Sequence, residues 1–282
     1  MSRSSSAAAR RTVGRVFLYL GAAAVVFFIL SPFAWVFITS LQKSDYLMSV
    51  PPRVSIRDFN LGYYKMLFSD GNFRSALRNS IVVILLASTF AMGIAALGGY
   101  AVGCFRIRSK SLFLFAILAV QLTPALALLI PLFMILSTYG LIDTYLGLVL
   151  VFLTFQVPVG IWILRGFFHS IPGELFDSSR IDGCSRLGTF FRIALPLARP
   201  GIVAVGIFTF IQGWNDLLIP LVVSIQRRSM LTVYAASFGG LYDTNYGGAA
   251  AVAMLSALPT TLMAVLFRKQ LISGLTAGAI KG

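Results

Sequence analysis

The sequence predicts an all-α protein that crosses a membrane several times, and two observations carry this prediction. Hydrophobic residues make up 58% of the 282 residues and charged residues only 11%, whereas soluble domains are about 45–50% apolar and about 25% charged. The apolar residues also form long runs without the alternation of a membrane β-barrel, so helices must satisfy the backbone hydrogen bonds in lipid. This composition excludes a disordered chain, a coiled coil and an ordinary soluble enzyme.

Six runs are long enough to cross a bilayer, which takes about 20 mostly apolar residues. They are residues 16–41, 80–105, 112–140, 146–164, 201–225 and 249–267. Together they predict a six-helix transmembrane domain over residues 16–267. Because the third run contains Pro124 and Pro131, we expect it to be kinked or tilted. The first run is too long for the core of a signal peptide, about 7–15 residues, so we expect it to be retained.

The distribution of positive charge predicts that both termini are cytoplasmic. If the N-terminal basic tail (residues 1–15) lies inside, the same side holds residues 106–111, 165–200 and the C-terminal tail 268–282. These segments contain 15 of the 23 Lys and Arg residues, and cytoplasmic loops are rich in both. The net charge of +14 is therefore attributed to membrane orientation, and no nucleic-acid partner is expected.

Few residues offer catalytic or metal-binding chemistry. Cys104 and Cys184 form no C-x-x-C motif, and His169 is the single histidine. The chain has no G-x-x-x-x-G-K-[ST] phosphate-binding loop. We therefore expect no catalytic residues, no metal and no directly bound cofactor. Gly99 and Gly103 form a G-x-x-x-G, which suits close helix packing either within the chain or between subunits.

Residues 165–200 are too long and too patterned for a simple connection, and they predict a helix–turn–helix. Ile171-Pro172-Gly173 ends the preceding helix, and Glu174 and Asp177 suit the first turn of a helix that runs to about Ile181. Asp182-Gly183 predicts a sharp turn in which the Asp182 side chain accepts backbone N–H bonds.

The second helix of this segment is expected from about Ser185 to Leu195, where Pro196 and Pro200 end it. We expect its apolar face to consist of Leu187, Phe190, Phe191 and Ile193. Two interpretations are open on these grounds alone. The segment is either an amphipathic hairpin lying on lipid headgroups or a docking element for a cytosolic partner.

The same segment resembles the EAA loop of ABC importer permeases. In that pattern the E-A-A positions read Asp177-Ser178-Ser179, the glycine is Gly183, and the later I-x-L-P reads Ile193-Ala194-Leu195-Pro196. Six crossings with both termini inside are the plan of the type I (MetI-like) importer permeases. Further stretches are similar to the MalG-like carbohydrate permeases, namely Pro51-Pro52, Asn60-Leu61-Gly62-Tyr63-Tyr64, Asn79-Ser80, Trp214-Asn215-Asp216 and the C-terminal residues 274–282.

The resemblance implies a non-catalytic permease subunit of an ATP-driven importer that carries a sugar across the bacterial cytoplasmic membrane. The implied partners are a second, different permease, two ATPase subunits that bind ATP and Mg²⁺, an extracytoplasmic sugar-binding protein and membrane lipid. The coupling residues implied for the ATPase contact are Glu174, Asp177, Ser178, Ser179, Asp182, Gly183, Leu195 and Pro196. The C-terminal tail is implied to insert between the ATPase subunits.

Polar residues inside the apolar runs are candidates for the substrate pathway. They are Gln121, Thr123, Gln156, Gln212, Asn215 and Asp216. Because polar groups are costly in lipid, they should face the interior of the helix bundle, and amides and hydroxyls suit the hydroxyl groups of sugars. Hydrogen bonding between helices without any ligand is an equally open interpretation.

Three alternatives to a sugar importer are open. The resemblance implies one of them, in which the same machinery imports glycerol-3-phosphate or a related polyol phosphate. An ion-coupled secondary transporter needs ionisable groups in the membrane, and only Asp216 qualifies. A membrane-embedded enzyme needs a nucleophile with a base or a metal cluster, and the runs contain neither.

Overall fold

The computed structural model of the protein describes residues 3–51, 53–105, 107–225, 228–238, 245–268 and 270, and all regular secondary structure in them is helical. The α-helices are α1 (Arg3–Leu41), α2 (Ser44–Leu47), α3 (Gly62–Ser69), α4 (Gly71–Cys104), α5 (Lys110–Leu122), α6 (Ala125–Thr138), α7 (Tyr145–His169), α8 (Gly173–Ile181), α9 (Arg186–Thr189), α10 (Leu195–Leu197), α11 (Arg199–Trp214), α12 (Leu218–Val223), α13 (Leu231–Ala236) and α14 (Tyr246–Leu266). A 3₁₀ turn at Ile56–Asp58 and a π-helical turn at Phe190–Ala194 complete the description.

Four helices are individually long and apolar enough to cross a membrane within the described part of the chain. They are α4, α7, α14 and the Gly14–Leu41 portion of α1. Two bent pairs qualify only jointly, α5 with α6 at 96° and Arg186–Leu197 with α11 at 78°. The described helices therefore provide four spans, or six if each bent pair is one span.

Several predicted boundaries differ from the observed helices. The run 112–140 is two helices separated at Thr123-Pro124, where proline cannot donate a helical hydrogen bond. The run 201–225 is likewise interrupted after Trp214 and resumes as α12. At the N-terminal side, α1 begins at Arg3 rather than at residue 16, and α4 begins at Gly71 rather than at Ser80.

The chain divides into two compact units. The first contains α1 to α3, Phe238 and the part of α14 up to Leu255. Within it, the Ser40 and Tyr64 hydroxyls lie 2.8 Å apart. The connection after α1 closes on Asp58, whose carboxylate accepts hydrogen bonds from Ser55, Lys43 and Tyr46, and these bonds lower the pKa of Asp58.

The second unit contains α4 to α13 and the part of α14 from Ser256. Its core is built on close packing of α4 against α7. A Cβ added at Gly99 would lie 2.8 Å from the Cβ of Leu164, and one at Gly103 would lie 2.9 Å from the Cβ of Phe168. The G-x-x-x-G therefore serves packing within this chain, which is the first of the two roles considered for it.

Asn79 joins three segments of the second unit. Its Oδ1 accepts a 2.7 Å hydrogen bond from the hydroxyl of Tyr145 at the start of α7, and its Nδ2 donates to the backbone carbonyl of Ser229 at 3.1 Å. The neighbouring Ser80 Oγ accepts from the backbone N–H of Leu231 at 2.8 Å. Both side chains are buried, so the Asn79-Ser80 pair noted in the sequence is a structural anchor for α13.

The hydrogen bonds of the Asp70 carboxylate predict that the stability of this region depends on pH. Its carboxylate accepts a 2.6 Å hydrogen bond from the Tyr234 hydroxyl and a 2.9 Å bond from the Asn72 N–H, and both lower the pKa of Asp70 below its usual 3.8. A carboxyl with a lowered folded-state pKa stabilises the fold above its unfolded pKa, and this contribution is lost as the pH falls through the folded pKa. We expect Tyr234→Phe to lower the apparent melting temperature at pH 7, and the difference from wild type to shrink below pH 4. An unchanged difference across pH 3–7 would contradict this linkage.

Candidate functional site

The first helix of the 165–200 segment is α8, and it presents acidic residues to solvent. Glu174 lies in its first turn and is exposed. Asp177 lies beyond the first turn, which corrects the predicted placement, and its carboxylate forms an exposed 3.4 Å ion pair with Arg180. Exposed ion pairs contribute about 0–1 kcal/mol. The acidic residues of α8 are therefore available on its surface and add little to the fold.

The turn after α8 is formed by the backbone. Gly183 has φ +76°, a left-handed conformation that side chains with a Cβ disfavour. The N–H of Gly183 donates to the Arg180 carbonyl at 3.1 Å, and the N–H of Cys184 donates to the Ser179 carbonyl at 2.9 Å. The Asp182 side chain makes no hydrogen bond with the described residues, so its predicted role in accepting backbone N–H bonds is wrong. The glycine and the backbone bonds suffice to reverse the chain.

The second helix of the segment begins where it was predicted. The Ser185 side chain caps it by accepting the N–H of Gly188 at 3.1 Å, a cap typically worth about 0.5–2 kcal/mol. The helix continues through α9, the π-helical turn and α10 to Leu197. The predicted end at Pro196 is therefore wrong, since Pro196 lies within α10. The Ser179 and Thr189 hydroxyls, both buried, lie 2.9 Å apart and join the two helices. We call this joined pair, Gly173–Leu197, the elbow.

An aromatic cluster attaches the elbow to the long helices α4 and α7. The ring of Tyr100 on α4 lies 5.1 Å from that of Phe190 and 5.6 Å from that of Phe168 on α7, measured between centroids. The Tyr100 hydroxyl donates to the Arg186 carbonyl at 3.3 Å. Aromatic pairs at such distances contribute about 0.5–1.5 kcal/mol beyond burial. The elbow is therefore packed against two long helices through aromatic side chains.

The outer surface of the elbow differs from the predicted apolar face. Phe190 and Ala194 face the core, but Leu187 and Phe191 are 62% and 60% exposed. Ile181 is 87% exposed. Leu187 and Phe191, four residues apart, lie on the exposed side of the helix, whereas Phe190 and Ala194, also four apart, lie on the buried side. The elbow therefore exposes three large apolar side chains as well as the acidic residues of α8.

The sequence-predicted coupling residues divide between the surface and the interior. Ser179 is buried and Leu195 is half-buried, so these two belong to the packing of the elbow. The exposed ones are Glu174, Asp177, Ser178, Asp182, Gly183 and Pro196.

A cavity of about 400 Å³ lies elsewhere in the second unit, between α5, α6, α7, α11 and α12. Five of the six predicted pathway residues line it, although they are up to about 95 positions apart in the chain. They are Gln121, Thr123, Gln156, Gln212 and Asp216. Asn215 does not line it, since its side-chain amide donates to the Ile211 carbonyl of its own helix at 2.8 Å. The volume falls in the range of about 300–1,000 Å³ typical of small-molecule sites.

The breaks in two helices create this cavity. Thr123 and Pro124 stand at the break between α5 and α6, and Asp216 stands at the break between α11 and α12. Asp216 Oδ1 accepts the N–H of Ile219 at 2.9 Å. Irregular backbone at membrane depth is tolerated where it is buried in protein or lines a cavity. The same polar residues that interrupt the apolar runs therefore surround the space that the interruptions leave.

Two glutamine side chains in the cavity wall are held by backbone carbonyls. The Gln121 Nε2 donates to the Phe155 carbonyl at 2.8 Å, and the Gln156 Nε2 donates to the Thr209 carbonyl at 3.0 Å. Gly213 makes room for the second, because a Cβ there would lie 2.9 Å from the Gln156 Nε2. Interhelical hydrogen bonding, the alternative role for these amides, is thus present, and it uses only one end of each.

Sequence reasoning missed the aromatic part of the cavity wall. Phe152 and Phe155 on α7 line the cavity beside Gln156. A phenylalanine in an apolar run carries no signal that separates a cavity wall from a lipid-facing surface. Among the described residues, no group of three or more His, Cys, Asp or Glu residues could hold a metal ion.

Comparison with known proteins finds a family and several relatives that match this chain. Residues 95–270 match the family described as "Binding-protein-dependent transport system inner membrane component". The diacetylchitobiose uptake system permease protein DasC of Streptomyces coelicolor is 30% identical, with 97% of this chain and 99% of that protein covered. The trehalose transport system permease protein SugB of Mycobacterium tuberculosis is 33% identical, with 92% and 94% covered.

The fold also matches chains of ABC importers whose structures have been solved. A bacterial ABC transporter involved in the import of the acidic polysaccharide alginate contains a chain that matches with a TM-score of 0.78 at 22% identity, covering 95% of this chain and 98% of that one. A chain of the MetNI methionine ABC transporter, in inward-facing conformations, matches with a TM-score of 0.52 at 15% identity, covering 71% and 93%. The multi-pass, all-helical MetI-like fold predicted from the sequence is therefore confirmed. With more than half of its length matched, the chain belongs to the family of binding-protein-dependent transport system inner membrane components.

Proposed function

We propose that this chain is a permease subunit of an ATP-driven importer that carries a di- or oligosaccharide. The observation that carries the proposal is the similarity, over more than 90% of both chains, to permease proteins of diacetylchitobiose and trehalose transport systems. Both named solutes are uncharged disaccharides, which does not favour the polyol phosphate alternative. The cavity lined by amide, hydroxyl and carboxylate groups suits a hydroxyl-rich solute.

The elbow is proposed as the contact with a cytosolic ATPase subunit. Its exposed Ile181, Leu187 and Phe191 offer apolar side chains to a partner's groove, and its exposed Glu174 and Asp177 offer charge. The Tyr100 cluster supports the coupling role because it connects the elbow to α4 and α7. Closure of the ATPase pair on nucleotide would tilt these helices and switch the pathway between inward-open and outward-open states.

The remaining parts of the complex follow from the same proposal. They are a second, different permease, two ATPase subunits holding ATP and Mg²⁺, and an extracytoplasmic sugar-binding protein, assembled in a bacterial cytoplasmic membrane with both termini of this chain inside. Insertion of the C-terminal tail between the ATPase subunits belongs to the proposal as well. Apart from Arg268 and Gln270, that tail lies outside the described residues.

The proposal is tested directly by asking whether uptake depends on ATP hydrolysis or on a proton gradient. In cells that produce the whole complex, we expect uptake of radiolabelled trehalose or diacetylchitobiose to stop when the ATPase is replaced by a catalytically inactive variant. Uptake should persist when an ionophore collapses the proton gradient while cellular ATP is maintained. The opposite pattern would establish an ion-coupled transporter and overturn the proposal.

The cavity is tested by Gln212→Leu, since the Gln212 side chain is exposed and lines it. Loss of one hydrogen bond to solute in the moving complex should reduce the initial rate of uptake about tenfold, which corresponds to about 1.4 kcal/mol. Thr138→Val is the matched control, because it also removes a polar group from an exposed position, at the end of α6 and outside the cavity. Equal uptake by both variants at equal membrane levels would exclude the cavity from the pathway.

A further inference from the structure

The charge of the cavity wall is one-sided. Among the 14 described residues that line it, Asp216 is the one that carries a formal charge, and there is no Lys, Arg or His. The Asp216 carboxylate is fixed in place by the N–H of Ile219. Any solute in the cavity therefore meets a carboxylate, and no lining residue offers a compensating cation.

Two glutamines of the wall donate hydrogen bonds from their amide nitrogens to backbone carbonyls. Gln156 is 2% exposed, and its Oε1 has no hydrogen-bond partner among the described residues. The orientation is determined, because the Thr209 carbonyl can be paired only with the amide nitrogen. Gln121 is held in the same way by the Phe155 carbonyl. A buried acceptor without a donor is unfavourable, and the Gln156 Oε1 is such an acceptor in a residue that lines the cavity.

The one charged group among the described lining residues, the Asp216 carboxylate, accepts hydrogen bonds and does not donate them. Sugar hydroxyls donate as well as accept and can pair with carboxylate and amide oxygens. A carboxylate, sulfonate or phosphate group on a solute only accepts, and it would lie near Asp216 without a lining cation. Like charges in a partly desolvated site repel more strongly than they do in water.

We propose that this cavity selects uncharged, hydroxyl-rich solutes and rejects anionic ones, with Asp216 as the specificity-determining residue. The inference rests on the proposed function, since it concerns the solute that passes through the same cavity. It adds a filter that acts in the membrane subunit itself, in addition to any selection made before the solute reaches it.

The electrostatic field in the cavity is measured through the labelling rates of a single reporter cysteine. The reporter is Gln212→Cys, in a chain where Cys104 and Cys184 are replaced by serine, within the purified complex. Its labelling rates with a cationic trimethylammonium and an anionic sulfonate methanethiosulfonate reagent are compared with those of Ser137→Cys, an exposed position at the end of α6 outside the cavity. We expect the cation-to-anion rate ratio to be about tenfold higher at the reporter than at the control.

Asp216→Asn should reduce the reporter's ratio to that of the control. Asparagine keeps an oxygen that can cap the Ile219 N–H, and Asp216→Glu, which keeps the charge, should retain the ratio even where packing is disturbed. Equal ratios at the two positions overturn the proposal, as does a reporter ratio that survives Asp216→Asn. So does a reporter that reacts with neither reagent, because the cavity would then be closed to solutes.

Protection from labelling tests the solute class directly. Maltotriose, a neutral trisaccharide, should slow the cationic labelling of the reporter at least about threefold at saturating concentration, and trigalacturonate, its anionic counterpart, should not. In the Asp216→Asn variant, both trisaccharides should protect the reporter from labelling. Equal protection by both in the wild-type cavity, or protection by neither, overturns the selectivity. Failure of the proposed function would show differently, as absence of ATP-dependent uptake by the complex whatever the labelling ratio.

Discussion

Replacing Gly183 by valine is expected to abolish uptake while the protein remains in the membrane at its normal level. Gly183 has φ +76° in the turn of the elbow, and a Cβ there would meet nothing within 4 Å. The effect would therefore come from the backbone, because a β-branched residue in this conformation costs on the order of 1–3 kcal/mol. We expect the turn to relax out of the left-handed region, which would displace the elbow from the proposed ATPase contact.

Two companion variants separate backbone strain from bulk. Gly173→Val adds the same side chain at the start of α8, where a Cβ also meets open space and φ is not left-handed, and we expect nearly normal uptake. Gly183→Asn should retain much of the activity, since asparagine enters the left-handed region more readily than other residues. The measurements are initial uptake rates, membrane levels by immunoblot and recovery of the ATPase with the tagged permease. Normal uptake by Gly183→Val would remove the elbow from the coupling mechanism.

Replacing Gly99 by leucine is expected to destabilise the protein more than any surface change. A Cβ at this position would lie 2.8 Å from the Leu164 Cβ and 3.1 Å from the backbone nitrogen of Arg165. The obstacle is mainly backbone and a Cβ, which cannot rotate away, so α4 and α7 must separate. Overpacking of this kind typically costs about 1–3 kcal/mol and sometimes more.

The matched control lies on the same helix. A Cβ at Gly93 meets nothing within 4 Å, so Gly93→Leu adds the same volume without a clash. We expect Gly99→Leu to lower the apparent melting temperature of the purified complex by about 5 °C or more, or to leave it aggregated in fluorescence-detected chromatography, while Gly93→Leu behaves as wild type. Equal melting temperatures for the two variants would contradict the packing seen between α4 and α7.

The apolar runs and the elbow could be predicted because their signals are local. A bilayer-length run needs only its composition, and the break at Ile171-Pro172-Gly173 and the turn at Gly183 are fixed by residues with restricted backbone choices. The polar pathway residues could also be picked out, because amides and a carboxylate stand out against an apolar run. Their spatial grouping around one cavity could not be predicted, since it depends on how α5, α7 and α11 pack.

The helix breaks show why composition alone does not predict where a helix ends. Proline occurs inside α1, α6, α7 and α14, at Pro32, Pro131, Pro158 and Pro259, without ending those helices. At Pro124 it stands at a 96° bend between α5 and α6. A neighbouring helix can supply the hydrogen bonds that a proline removes, so the outcome depends on tertiary contacts. The same holds for Phe191, which is exposed although its neighbour Phe190 is buried, because tertiary packing decides which side of the helix faces the core.

The buried amide of Asn79 has a consequence for how the molecule deforms. It bonds simultaneously to the Tyr145 hydroxyl and the Ser229 carbonyl, and its exposed fraction is 2%. Separating any one of the three chain segments would leave polar atoms buried without hydrogen-bond partners, with a penalty of about 1–3 kcal/mol for each. A single buried amide therefore holds the start of α7 and the segment before α13 against α4, and any displacement that separates these segments must break its hydrogen bonds.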